Sequence, residues 1–322
     1  DDIDVERFLT AVNNQGQENT KEVQATTEDI GNDDYMFDLS ILRIDDIDFN
    51  LKKGHYKELE FGNINAKLTL DDKSILKIKS NRFDFAKGIS TLKVECDLKN
   101  LKYSVRLGVR KVDSNLIAKV LLNLDKEISG LASGLIELNS DKDLKLNGSI
   151  KFLVDDGTIG KIGLVEYVLK IASVFRNPIV MISPGTIMDI ISVPEGKFDK
   201  ITGEMDIKDN IIRKINIKSY SSTLSALIKG RIDLEKHDMS LRIYTRFSSS
   251  KKSVFNFLRN FSLNALANKV QLNSRNDANY YSSELSELPS IDVEDDRTQV
   301  FLTNVEGDVE HNNFLSSLKK IK

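Results

Sequence analysis

A single cysteine, Cys96, stands alone in a chain that also has no tryptophan, only four prolines and only three histidines. One cysteine excludes an intramolecular disulfide and leaves the redox compartment unread. His55, His237 and His311 lie far apart with no other ligand types at metal spacing, so a His/Cys metal site is not expected. No run approaches the roughly 18 apolar residues of a membrane-spanning helix. The chain opens Asp1-Asp2-Ile3-Asp4, without a basic stretch leading into an apolar one, so these residues are not expected to be a signal peptide. A start without Met is expected of a fragment or a processed product. Excess positive charge is missing too: the net charge is -3 and the pI about 5.8, so nucleic acid is not expected as a partner. No Gly-rich phosphate loop opens a helix, and no cofactor is expected.

What is present is 322 residues, 40% hydrophobic and 30% charged, room for one large domain or two ordinary ones. Residues 1–36 are polar and acidic and read as an N-terminal segment and linker, with two helical turns at most between Val5 and Val12. From residue 37 the texture is alternation. Ile47, Phe49 and Leu51 alternate with charged or polar residues, as do Ile64 to Leu70, Leu92 to Leu98, Tyr103 to Val109, Leu144 to Val154, Leu224 to Leu234 and Met239 to Phe247. Period two places one face of each strand in apolar surroundings and the other in water. Turns are expected at Lys53-Gly54, Asp71-Asp72, Lys99-Asn100, Asp156-Gly157 and Asp209-Asn210, giving an antiparallel meander. Three similar segments, around Gly148, Gly203 and Gly230, place a glycine inside a strand, where it commonly marks a bend or bulge.

The spacing predicts helices over 115–124, capped by Asp113 or Ser114, over 159–176, ended by Asn177-Pro178, and over 253–270. Residues 273–299 read as disordered, and 311–322 as a last short amphipathic helix. The expected fold is therefore mainly β with a few α-helices: a long curled antiparallel sheet forming an apolar groove, with amphipathic helices at its ends. The expected domains are the segment 1–36, a β-groove domain over 37–250 that includes helix 159–176, and a helix with a largely disordered tail over 251–322.

Catalytic motifs are weak. Asp155-Asp156-Gly157-Thr158 has part of an aspartyl-phosphate signature, but Val154 stands where the nucleophile belongs, and a hairpin turn is the better reading. Asp45-Asp46-Ile47-Asp48 and Asp292 to Asp296 lack the ligand spacing and glycine of a Ca²⁺ loop and read as solvated acidic edges. Cys96 alternates inward as a small hydrophobe. The protein is not expected to be an enzyme. A glycan hydrolase with a carboxylate pair is the remaining enzymatic alternative, although no pair stands out.

Several segments, taken in order, carry a resemblance. Ile3 to Leu9, Phe37-Asp38-Leu39, Ile44 to Phe49, Gly130 to Leu138, Leu146 to Ile150, Asp155 to Ile159, Phe198 to Gly203, Asn210-Ile211-Ile212 and Gly230 to Leu234 resemble the C-terminal region of the AsmA-like proteins, over roughly residues 2–247. The family usually has Gly where Asn210 stands. The resemblance implies a groove-shaped sheet in a cell-envelope protein, held in the inner membrane by an N-terminal anchor missing here and reaching across the periplasm. It implies phospholipid movement between inner and outer membranes, and an outer-membrane or envelope protein as a possible partner.

Acyl chains suit an apolar sheet face, since each buried CH₂ contributes about 0.8 kcal/mol without directional demands. The positions expected to line the groove are Phe49, Leu68, Leu70, Val94, Leu107 and Ile150 in the first half. In the second half they are Phe152, Ile228, Ile232, Leu241 and Ile243. The alternative is a structural or assembly module that helps outer-membrane proteins form, pairing a client strand on an open sheet edge.

Overall fold

Among the described residues, fourteen strands lie side by side in the order in which they occur along the chain. The computed structural model describes residues 2–4, 43–122, 129–141, 143–159, 196–222, 224–248, 280–292, 298–308 and 313–321. The strands are β1 (Asp2–Asp4), β2 (Ile44–Tyr56), β3 (Leu59–Leu70), β4 (Ile75–Phe85), β5 (Gly88–Asp97), β6 (Lys102–Asp113), β7 (Leu131–Ser140) and β8 (Leu146–Ile159). They continue as β9 (Gly196–Lys208), β10 (Ile211–Tyr220), β11 (Leu224–Asp233), β12 (Asp238–Ser248), β13 (Thr298–Asp308) and β14 (Asn313–Lys320). Two short helices are described, α1 (Ser114–Leu122) and α2 (Ser282–Glu287). The fold is mainly β with few helices, as the alternation predicts. β1 pairs in parallel with Lys53–His55 of β2, and every later neighbour is antiparallel. The sheet is open and at most weakly curled.

Local chemistry accounts for the meander. Asp209-Asn210 joins β9 to β10 with φ of 54° and 62°, the two left-handed residues of a tight hairpin turn. Asn210 adds a second service, since its Oδ1 accepts the Leu146 amide at 2.7 Å and ties this turn to β8. Ala86-Lys87 makes the corresponding turn between β4 and β5, with φ of 47° and 63°. α1 begins where Asp113 Oδ1 accepts the amides of Asn115 and Leu116 at 3.0 and 3.3 Å, a side-chain N-cap.

Several expectations are corrected. Lys53-Gly54 is not a turn but lies inside β2, paired with Gly62 and Phe61, and the chain reverses at Lys57-Glu58 instead. Asp156-Gly157 is not a hairpin turn either. It lies inside β8, whose pairing with β9 continues on both sides, from Asp155 opposite Lys200 to Gly157 opposite Phe198. Asp156 takes a left-handed φ of 47° there. Gly157 is required by close approach, because a Cβ at that position would stand 2.0 Å from the Ser129 carbonyl oxygen.

The tail is corrected as well. β13 and β14 extend the sheet beyond residue 250, where a disordered tail and a final helix were expected, so the sheet domain does not end there. Residues 280–292 are ordered against it. Ile159 closes β8 rather than opening a helix, and the rest of the expected helix 159–176, the expected helix 253–270 and the short helix after Val5 lie outside the described residues.

Candidate functional site

Antiparallel partners share a face, so the register traces rows of side chains across the sheet. One row runs Phe49, Ala66, Ser80, Leu92, Leu107 and Ile136 from β2 to β7. It continues through Ile150, Met205, Ile215, Gly230, Leu241 and Val305 to β13. A second row starts at Ile47, Leu68, Ile78, Val94 and Val105 and reaches Ile207, Ile212, Ile232 and Met239. A third joins Phe83, Ser90, Val109, Gly134 and Phe152 to Gly203, Ile217, Ile228 and Ile243.

The positions singled out from the sequence fall together on this face. Phe49, Leu107, Ile150 and Leu241 stand in the first row, Leu68, Val94 and Ile232 in the second, and Phe152, Ile228 and Ile243 in the third. Leu70, opposite Leu76, stands one step beyond the second row. The sequence reading passed over Ile78, Leu92, Ile136, Met205 and Ile215, which share the rows.

Exposure divides the face into two regions. From β8 to β13 it is closed: Ile150, Ile228, Ile232, Leu241 and Ile243 belong to one buried cluster, with Phe152 packed against it. Toward β2 it opens. Leu68, Val94 and Leu107 are half-buried, while Ile47 and Phe49 are 47% and 46% exposed. α1 covers one margin, where Val120 joins Leu59, Ala86 and Val112, with Leu116 and Ile117 packed alongside.

The glycines in the strands have a packing role on this face. Gly134 and Gly203 flank Phe152 in its row, and a Cβ on Gly203 would stand 2.2 Å from the Phe152 ring. The ring therefore lies across the neighbouring strand, in space that a side chain would fill.

The opposite face is charged. Asp48, Lys67, Lys79, Lys93, Arg106 and Glu137 stand in one row across β2 to β7. Ion pairs cross it, including Arg106–Glu137 at 3.0 Å and Lys67–Asp46 at 2.9 Å, both between exposed groups and each contributing little. The acidic edge of β2 is thus partly neutralised by its neighbour. One end of this face is covered. Leu227, Tyr244, Val300 and Leu302 pack with Leu288 of the segment after α2, and Tyr281 and Leu285 lie against them. Lys229–Glu287 and Arg242–Glu284 pairs, and a Ser225 hydroxyl donating to the Pro289 carbonyl, pin that segment down.

The chemically reactive candidates are quiet. Cys96 faces the apolar side between Leu76 and Tyr103, and burial pushes its thiol pKa up, the wrong direction for a nucleophile. Among the described residues no group of three or more His, Cys, Asp or Glu side chains is placed to hold a metal, and no helix is long and apolar enough to cross a membrane.

In comparison with known proteins, no family model, curated protein or solved structure matches the chain.

Proposed function

We propose that the chain binds lipid acyl chains on its apolar sheet face, as the conduit or binding segment of an AsmA-like envelope protein that moves phospholipid between inner and outer membranes. The observation that carries this reading is the continuity of the face. Three adjacent rows, each spanning nine or more strands, place apolar side chains or glycine at nearly every position, and the β2 side of that surface is half open. Large exposed apolar surfaces commonly mark binding sites. Hydrocarbon would rest where Phe49, Leu68, Val94 and Leu107 stand half-exposed, while the closed β8–β13 part supplies the scaffold. The inner-membrane anchor, the periplasmic location and the envelope partner belong to the same proposal and rest on the resemblance alone.

One observation favours the second reading, an assembly module for outer-membrane proteins. β1 covers only Lys53–His55 of β2, so no described strand pairs with the outer edge from Ile44 to Lys52. A client strand would add there.

Native mass spectrometry of the chain purified without detergent, followed by organic extraction, tests the lipid reading. The expected result is stoichiometric phospholipid that Phe49→Asp reduces while the fold is kept. A clean ligand-free mass, together with crosslinks from Asp48 to a client strand, would replace the lipid reading by the assembly one.

A further inference from the structure

Within the three rows the only residues that are neither apolar nor glycine are Ser80, Ser90 and Thr303. Ser80 and Ser90 are neighbours. Ser80 stands opposite Leu92, and Ser90 lies two residues further along the same strand, opposite Phe83. They are 2% and 1% exposed, and neither hydroxyl has a hydrogen-bond partner. A buried hydroxyl left unpaired is costly, so two side by side on an otherwise apolar surface call for a partner. The register explains how they come to be adjacent: β4 has an extra residue between Ser80 and Phe83, which brings Phe83 opposite Ser90.

We infer that Ser80 and Ser90 form a polar anchor in the apolar face that donates hydrogen bonds to the ester carbonyl oxygens of a bound acyl lipid. The inference rests on the lipid-binding reading and specifies its ligand class. The ligand presents hydrogen-bond acceptors beside a hydrocarbon chain, because the two hydroxyls have protons to donate and Leu92, Phe83 and Val109 neighbour them in register. A carboxylic ester at the head of an acyl chain has this chemistry: two acceptor oxygens, no N–H or O–H, and a chain to lie along the rows. An ether-linked chain has the same shape but lacks the carbonyl. The hydroxyls are covered in the ligand-free chain, so Leu92 and Phe83 move aside as the lipid seats. Ser80 and Ser90 act as specificity residues; the rows supply the affinity.

The test is competition between dioleoyl phosphatidylglycerol and its diether analogue for the full chain, read by native mass spectrometry. Wild type is expected to hold the diester about tenfold more tightly, as two net hydrogen bonds imply. Ser80→Ala/Ser90→Ala is expected to bind both lipids equally, and its ligand-free midpoint should rise because two unpaired hydroxyls are gone. Equal binding of diester and diether by wild type overturns the anchor and leaves the acyl-chain reading standing. A preference that survives in the double variant also overturns it. Binding of neither lipid removes the acyl-chain reading itself.

Discussion

Ile228→Ala is expected to destabilise the chain by about 3 kcal/mol, and Phe49→Ala by about 1, although both residues belong to one face. Ile228 is 3% exposed and lies between Ile217 and Ile243 in its row. Its truncation removes three buried carbons, about 2.4 kcal/mol of transfer free energy, and adds a cavity term that neighbouring strands cannot fully collapse. Phe49 is 46% exposed, so roughly half of the 1.5–3 kcal/mol of a fully buried large side chain is in place to lose. The chain has no tryptophan, so urea unfolding is best followed by far-UV circular dichroism, with the slope checked for constancy between variants. Costs that are equal, or an Ile228 cost below about 1 kcal/mol, would refute the division of the face into a closed and an open part. The same arithmetic governs functional tests. An aspartate at Ile228 places an unpaired charge in the core, at a cost comparable with the 5–15 kcal/mol that holds a domain together. Loss of lipid from that variant would report unfolding. Phe49 is the position at which ligand binding can be altered separately from folding.

Two further outcomes follow from the packing. Gly203→Ala is expected to cost about 1–3 kcal/mol by driving a methyl into the Phe152 ring, and much less on a Phe152→Ala background; the coupling is read from the four unfolding midpoints. Burial pushes the Tyr244 phenol up to about 12 from its ordinary 10.0. The folded chain therefore keeps that proton at pH values where the unfolded chain has released it. Its stabilising contribution is whole below pH 10 and declines as the pH rises toward 12, and Tyr244→Phe should remove that part of the alkaline loss measured by circular dichroism.

Much of the face was legible because alternation is a direct print of a sheet with one wet side. The sequence was harder to read wherever that premise failed. In β4 the extra residue between Ser80 and Phe83 breaks the phase, so Ile78 and Ser80 fall out of step with Phe83 and the strand does not read as one. The Ala86-Lys87 turn has none of the usual Asn or Gly. In β13 the run Val300-Phe301-Leu302 is buried on both faces, since Leu288 and its neighbours cover the side that is wet elsewhere. That covering segment reads as disorder because its polar composition, Ser282 to Glu287, hides the few contacts that hold it. Asp156-Gly157 has the composition of a hairpin turn, yet the strand runs through it, because nothing local distinguishes a kink from a reversal. Ser80 and Ser90 were invisible for a related reason: a serine at an inward phase looks like an outward one until the register is known.

The strictly sequential strand order has a kinetic consequence. Apart from Asp2–Asp4, every described strand pairs with the described strand before it in the chain, so most contacts form with chain already made. Such a sheet can assemble hairpin by hairpin as the chain emerges during synthesis, with low loop-closure entropy at most steps. It behaves as a nearly one-dimensional array, in which each increment stands on its neighbour. Gain or loss of a hairpin would then lengthen or shorten the surface without disturbing the register elsewhere, a route by which evolution can change its span.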